Sequence, residues 1–494
     1  MKVAIFISEI IWTSHLGTGL EILQREIDNK DELYAFVCNG FLERCDQNLE
    51  AQESICTICV NKRKKGFSLL SEKVNLIPIQ FEKRDFKYFD AKTDLKSFLK
   101  IKHKEFDLGL AVASSLISRK RDSNISIEEN FEYFKSITNN AASLYDFFIA
   151  ELEKIKPEKV YIFNGRFDYD RALLRACETL KIDYTIFDGA GPLDKFMLIK
   201  NAMIHDIDKF HDRVFDVWNE STLNEEEKKK IGEGFYQERR YGSDKARYYF
   251  VENQKAGILP DSWDSSKINV TVFLSSEDEF VAIGEQWKMD LYDSQLDGLR
   301  KIANSLKQKN DSVKLYIRIH PNTFNTSPEF VKEIFDLESD YIEVIPPDSL
   351  ISSYSLLLSS SKIITFGSTM GIEAAFWGIP SINLGKCLFM HMGVSYTCKN
   401  HEELMDMLFA ENLKPIHTDN VYKYGFYQMN FGIDYKYFES INNEVGIYRG
   451  YNLHKLNQTR YTRFKEELKK YLPNGLMSFY RKMRSVNSNV SAIW

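Results

Sequence analysis

The chain has 494 residues, 44% of them hydrophobic and 28% charged, with a formal net charge of −6. That is room for two α/β domains with separate cores, and the composition excludes a disordered or fibrous chain. The negative balance gives no electrostatic reason for nucleic acid to be the partner, and the absence of any run of 18 apolar residues argues against a transmembrane helix.

In chain order, Val3 to Ile7 reads as a first buried strand and not as a signal peptide, because Ser8 and Glu9 interrupt the apolar run. His15-Leu16-Gly17-Thr18-Gly19 reads as a glycine-bearing turn, followed by a helix from about 20 to 27 and a second strand at Tyr34 to Val37. This βαβ opening is that of a doubly wound domain. A long helical stretch runs from about 127 to 156. Val160 to Phe163 then reads as a strand ending in Asn164-Gly165-Arg166. A helix over 169–180 follows, then a strand from Tyr184 to Phe187 ending in Asp188-Gly189-Ala190-Gly191. The triplet Asp168-Tyr169-Asp170 reads as helix-start acids. Residues 205–265 are rich in charge and read as solvated helices joining two domains. Asn269 to Leu274 opens the second domain and ends in Ser275-Ser276-Glu277-Asp278.

Seven cysteines in a chain of this size point to the reducing cytosol. Cys38, Cys45, Cys56 and Cys59 are spaced C-x6-C-x10-C-x2-C, a ligand set for a structural zinc. The alternative is plain packing, since small thiols at strand ends are ordinary. Cys177, Cys387 and Cys398 are scattered and read as packing residues.

Two motifs carry chemistry. In Lys314 to Asn322, KLYIRIHPN, Arg318 and His320 lie two residues apart and share a strand face, and Pro321 ends the strand. Arginine is a fixed cation suited to phosphate, and histidine can donate to an oxyanion. In Lys362 to Leu384, KIITFGSTMGIEAAFWGIPSINL, a buried strand meets Gly367, then Ser368 and Thr369 open a helix, and Gly378 and Pro380 stop it. Backbone N–H groups and two hydroxyls at such a helix start welcome a phosphate, and Glu373, one turn on, is placed to take a ribose hydroxyl.

Arg-x-His-Pro followed by Gly-Ser-Thr-x-Gly-x-Glu-Ala and Gly-x-Pro resembles the nucleotide-binding half of GT-B glycosyltransferases. The likeness is to bacterial capsule and surface-polysaccharide biosynthesis proteins, and more distantly to the sialyl- and Kdo-transferases with a His-Pro motif. It spans about Asn269 to Leu384. The resemblance implies two Rossmann-like domains facing a cleft. The first, 1–210, takes the acceptor and carries a cysteine-rich insert at 38–59. A helical bridge spans 211–265. The nucleotide-sugar domain spans 266–425, and a helical tail at 426–494 packs back on the first domain. It further implies a cytoplasmic enzyme, at the inner face of the membrane, that moves a sugar from a nucleotide-activated donor to a glycan or lipid-linked glycan without a catalytic metal.

Within that reading Arg318, His320, Gly367, Ser368, Thr369 and Glu373 hold the donor, Ser275 and Ser276 add phosphate contacts, and His15 faces the acceptor. Asp188 matches the acid of the family's Asp/Glu-Gly motif and is the expected base. Phe187, however, stands where those enzymes carry a second acid. Glu277 and Asp278 are rival acids on the donor side. A sugar-nucleotide 2-epimerase is the first alternative, but the Gly-Gly and paired glutamates of its helix motif are missing. A polyol-phosphate transferase shares Arg-x-His-Pro but shows Asp-Tyr-Ser-Ser where this chain has Phe366-Gly367-Ser368-Thr369. A non-catalytic glycan-binding relative is the third. Beyond about Arg460 the tail sets Lys465, Lys469, Lys470, Arg481, Lys482 and Arg484 beside Phe464, Leu468, Leu472, Leu476, Phe479 and Met483. It reads either as a packing helix or as a peripheral membrane contact.

Overall fold

A computed structural model describes residues 1–242, 254–309, 312–321, 328–442 and 444–454. The basic tail lies outside the described residues. The first unit comprises β1 (Lys2–Phe6), α1 (Thr13–Asp28), β2 (Glu32–Val37), α2 (Glu53–Phe67), β3 (Asn75–Pro78), α3 (Leu95–Phe98), α4 (Leu108–Lys120), α5 (Phe131–Ile155), β4 (Lys159–Phe163), α6 (Asp168–Leu180), β5 (Tyr184–Gly189) and β6 (Lys195–Lys200). Two helices follow, α7 (Ile207–Glu220) and α8 (Glu225–Tyr241). The second unit comprises β7 (Ile268–Phe273), α9 (Gln295–Lys309), β8 (Val313–Arg318), α10 (Pro328–Phe335), β9 (Ile342–Ile345), α11 (Ser353–Ser359), β10 (Lys362–Thr365), α12 (Met370–Phe376), β11 (Ser381–Asn383), α13 (His401–Phe409) and α14 (Asn420–Asn430). The chain then adds β12 (Ile433–Asp434), β13 (Phe438–Ser440), β14 (Gly446–Tyr448) and β15 (Tyr451–Asn452).

The first sheet has the order β12-β6-β5-β4-β1-β2-β3, and its strands β3 to β5 run parallel. The second, order β11-β10-β7-β8-β9, is parallel throughout. Parallel strands buried on both faces need apolar runs, and VAIF, VYIF and LYI supply them. Both units are the expected Rossmann-like α/β layers, and each reverses its strand order beside its first strand, where open sheets bind ligands.

The α1 glycines and the tail depart from the sequence reading. Gly17 and Gly19 are not in a turn; α1 begins at Thr13 and contains them. A Cβ on Gly17 would sit 2.3 Å from the Phe438 ring, and one on Gly19 would sit 2.4 Å from Ile7. Both glycines therefore allow α1 to be covered closely on two sides. The tail beyond Asn430 was expected to be helical, but between Ile433 and Asn452 its described residues form four short strands joined by turns. β12 pairs antiparallel with β6, and Phe438, Tyr448 and Leu453 join Leu16, Leu20 and Leu23 in one core. The wholly buried Glu21 on α1 accepts the backbone N–H groups of Lys436, Tyr437 and Phe438 at 2.9, 2.7 and 3.0 Å. A bend outside any helix can turn three consecutive N–H groups toward one carboxylate, whereas a helix interior has already spent them.

Between the units, α8 crosses α14 where Gly232 and Gly425 meet. A Cβ on Gly425 would lie 2.1 Å from the Gly232 carbonyl oxygen. This contact lets the end of α8 reach the second unit's strand ends.

Candidate active site

One cleft at the carboxyl ends of β8 and β10 is lined by Arg318, His320, Ser368 and Thr369, together with Arg239 and Tyr354. Both motifs therefore meet, as neighbouring βα units of an open sheet should. Arg318 is buried and donates from Nη1 to the Pro346 carbonyl and from Nη2 to that of Ser349, 3.5 Å away. Its Nε has no partner among the described residues. Burial lowers its pKa to about 10, against the pull of Asp348. It thus remains a cation at neutral pH while it ties down the loop after β9.

His320 Nδ1 lies 3.3 Å from the Ser276 hydroxyl. Burial and the cations Arg239, Arg318 and Arg121 push its pKa down to about 4, so the ring is neutral at physiological pH. Ser276 thus stands behind His320 and is not itself part of the cleft lining. Ser275 is directed elsewhere. Its hydroxyl faces the Phe366 carbonyl at 3.3 Å, and its backbone N–H and carbonyl bond the Gln295 side chain. Gly367 has φ +103°, and a Cβ there would stand 2.3 Å from the Lys386 carbonyl oxygen. Only glycine can make this turn.

The helix after Gly367 differs from expectation. It starts at Met370, is seven residues long, and Thr369 makes no side-chain cap. Thr369 instead donates to Glu373 at 3.1 Å and accepts from Arg239 Nη2 at 3.1 Å. Glu373 does not line the cleft. It is fully buried, takes the Arg239 Nε–H at 2.8 Å, and accepts the Tyr354 hydroxyl on its other oxygen. Burial would lower the Arg239 pKa, but Glu373 outweighs it and holds the guanidinium well above its usual value. Glu373 thus supports a cation at the cleft and meets no ligand directly. Arg239 and Tyr354 escaped sequence reasoning. The visible trace was a basic pair, Arg239-Arg240, in the last turn of a charged helix.

At the carboxyl ends of β1, β4 and β5 the first unit gathers a second group. His15 Nδ1 lies 2.9 Å from Glu9 Oε2, and its ring sits 4.3 Å from that of Phe163. Burial raises the Glu9 carboxyl to about 7, with Asp188 adding to the rise and Arg119 and Arg166 opposing it. Asp188 accepts from Asn164 Nδ2 at 2.9 Å and from the Gly189 N–H at 2.7 Å. The loop that carries Glu9 is pinned by Lys62, which donates to the Ile11 carbonyl at 2.6 Å and the Thr13 hydroxyl at 3.1 Å. Asp168 and Asp170 do open α6, but both are buried. Burial raises Asp168 to about 8 and Asp170 well above the ordinary carboxylate range.

The two groups face each other across direct contacts. Arg121 pairs with Asp278 at 2.8 Å, Arg166 donates to the Glu279 carbonyl, and Arg171 donates to that of Ile283 at 2.9 Å. Glu277 accepts the Gln295 N–H at 2.8 Å at the start of α9. Both rival acids are therefore engaged in structural bonds. A larger cavity of about 520 Å³, lined by Leu198, Val217, Glu220, Leu223 and Phe431, contains none of the motif residues.

Among the described residues the four cysteines are not arranged as the expected zinc ligands. Among the described residues no three His, Cys, Asp or Glu side chains converge as metal ligands. Cys38, Cys45, Cys56 and Cys59 are all free thiols, and Cys56 instead receives an Asn48 amide N–H at 3.3 Å. Burial pushes Cys59 up to about 12, with Cys38 and Cys56 adding to the rise, and Cys45 well above its usual value, with Asp46, Asp168, Cys38 and Cys59 adding to it.

Among solved structures the chain is similar to the Thermosulfurimonas dismutans KpsC, beta Kdo 2,4 transferase, at 13% identity and TM-score 0.35, over 54% of this chain and 78% of that one. It is also similar to S. aureus MnaA in its UDP co-structure, at 10% identity and TM-score 0.26, over 88% and 93% of the two chains. A third is the UDP-GlcNAc 2-epimerase from Neisseria meningitidis bound to UDP-GlcNAc, at 11% and 0.24, over 95% and 100%. Likeness of this degree says nothing of chemistry. No curated protein sequence matches the chain. Residues 236–427, the span that includes Arg239, both motifs and most of α14, match the family described as capsule polysaccharide biosynthesis protein, and over this span the resemblance drawn from the motifs holds.

Proposed function

We propose that the protein is a glycosyltransferase of capsule or related surface-polysaccharide synthesis, moving a sugar from a nucleotide-activated donor to a glycan or lipid-linked glycan. The observation that carries this is the common cleft of Arg318, His320, Ser368, Thr369 and Arg239. Glycosyl transfer from a nucleotide sugar releases a phosphate oxyanion, and the group that binds it best is one aimed at the charge as it develops. Two fixed cations and a neutral histidine that can donate a hydrogen bond provide this without a metal. Arg239 is held taut by a buried carboxylate, so little reorganisation is needed when phosphate arrives. The acceptor hydroxyl then comes from the first unit, where His15 and Asp188 stand. Transfer at the inner face of the membrane fits a lipid-linked acceptor, and among the described residues no helix is long and apolar enough to cross a membrane.

The test is a thermal-shift panel of UDP-, GDP- and CMP-sugars on the purified protein. One nucleotide class should raise the melting temperature, since a ligand at a hundred times its Kd adds about 2.7 kcal/mol. The same donor should lose its effect in Arg239→Met. No shift with any nucleotide sugar would overturn the proposal, and conversion of the donor to its epimer would reassign the site to the epimerases.

A further inference from the structure

Three acids in a row, Glu277, Asp278 and Glu279, follow β7 and form one tight helical turn. Like charges so close repel, so each has to be engaged separately. Glu277 faces its own unit and accepts the Gln295 N–H. Asp278 is 5% exposed and pairs at 2.8 Å with Arg121, the residue directly after α4 of the first unit. A carboxylate so buried depends on its cation. The Glu279 carbonyl accepts from Arg166, whose Nη2 also donates to Ser118 on α4 at 3.2 Å. Further along, the Ile283 carbonyl accepts from Arg171 at 2.9 Å, and Ala282 lies in the first unit's core. The segment therefore belongs to the second unit by chain and to the first by contact.

Its near end reaches the donor cleft. Ser276, two residues before Asp278, presents its hydroxyl 3.3 Å from His320 Nδ1. A hydroxyl on that nitrogen fixes the angle of the ring and which nitrogen carries the proton. The charged groups facing His320 are Arg239 at the end of α8, Arg318 at the end of β8, and Arg121. The first two line the cleft from the second unit's side, and the third comes from the first unit. We propose that Arg121 is a positioning residue for His320, acting through Asp278 and Ser276. The inference rests on the transferase reading of the cleft, in which His320 donates to the phosphate oxyanion. A group misplaced by about 1 Å from developing charge can lose about 100-fold in rate. The first unit, where the acceptor hydroxyl is placed, thereby sets the aim of a donor-side group.

The experiment uses the full chain with whichever nucleotide sugar stabilises the wild type, and follows nucleotide release with water as the acceptor. R121Q and D278N should each lower kcat about tenfold or more, while the donor's KM stays within about threefold and its thermal shift persists. R121Q/D278N should be slower than the slower single by no more than about threefold, since both act at one contact. In H320A, where there is no ring to aim, adding R121Q should cost less than about threefold. A general loosening of the fold would slow H320A as much as the wild type. R121Q leaves a buried acid without its cation. If it does not fold, R121Q/D278N removes both charges and carries the same readouts, alone and in H320A. A kcat within about threefold of wild type, a loss confined to KM, or a tenfold loss that persists in H320A would each overturn the assignment. A wild-type protein that no nucleotide sugar stabilises would instead overturn the transferase reading, and this inference with it.

Discussion

The ion pair of Arg239 with Glu373 is the most exposed point of this account, because one contact is asked to support both stability and binding. Arg239→Met keeps much of the side-chain length and removes the charge. Glu373 is then left without its cation at full burial, keeping, among the described residues, the Tyr354 and Thr369 hydroxyls. Removing one partner of a buried pair costs about 3–5 kcal/mol. The two remaining hydroxyl donors, each worth about 1 kcal/mol net, place the expected loss at the low end, about 3 kcal/mol. For a unit of this size that is a fall of about 6–12 °C in its melting transition. Glu373→Gln should cost less, because the Arg239 side chain is 21% exposed and water can reach it. The double variant should be more stable than the sum of the singles implies, by about 2 kcal/mol. Urea titrations of the four proteins, followed by intrinsic fluorescence, give the cycle. Additive losses to within about 0.5 kcal/mol would refute the pairing.

Gly367→Ala forces a Cβ into the Lys386 carbonyl at a positive φ, and should cost about 1–3 kcal/mol and abolish the donor's thermal shift; a fully stable variant would refute the turn geometry. His320→Ala should lower turnover by about 100- to 1000-fold. Because burial keeps His320 neutral down to about pH 4, no limb near pH 6.5 should disappear in His320→Gln, and one that does would contradict the structure. Asp107 is half-buried, which alone would raise its pKa, but Arg175 and Arg171 outweigh this and hold the carboxyl well below its usual range. A lowered folded-state pKa stabilises above the unfolded value, about 3.9, and that contribution fades as pH falls through the folded one. The stability gap between wild type and Asp107→Asn should therefore be widest at pH 7 and narrow below about pH 4, and a constant gap in urea unfolding at pH 7 and pH 3 would refute it. Elemental analysis of the purified protein should find no stoichiometric zinc, and one equivalent released together with unfolding by a chelator would restore the cysteine cluster.

Local pattern determined much of this molecule. Apolar runs followed by polar, glycine-containing loops were enough to recognise β1, β4, β5, β7 and β10, since a strand buried on both faces admits little else. Arg-x-His-Pro and Gly-Ser-Thr were legible because each is a strand end followed by a forced turn, and strand ends are where such sheets bind. Other features depend on residues far apart in sequence, and no local pattern encodes them. Arg239 stands 79 positions before Arg318 in the numbering, and reaches the cleft only because Gly232 and Gly425 let two helices touch. Glu373 looked like a ligand residue and became a buried partner once Arg239 and Tyr354 closed over it. Gly17 looked like a turn until Phe438, more than four hundred residues later, proved to need the space. Four cysteines at chelating intervals lie near one another but, among the described residues, are not aimed at one point as ligands, because spacing limits the reach of side chains without directing them. Sequence alone determined the central strands of both sheets and the two motifs. Tertiary packing decided which charges face the cleft and which support it from behind, because burial and pairing depend on every element that closes around a residue.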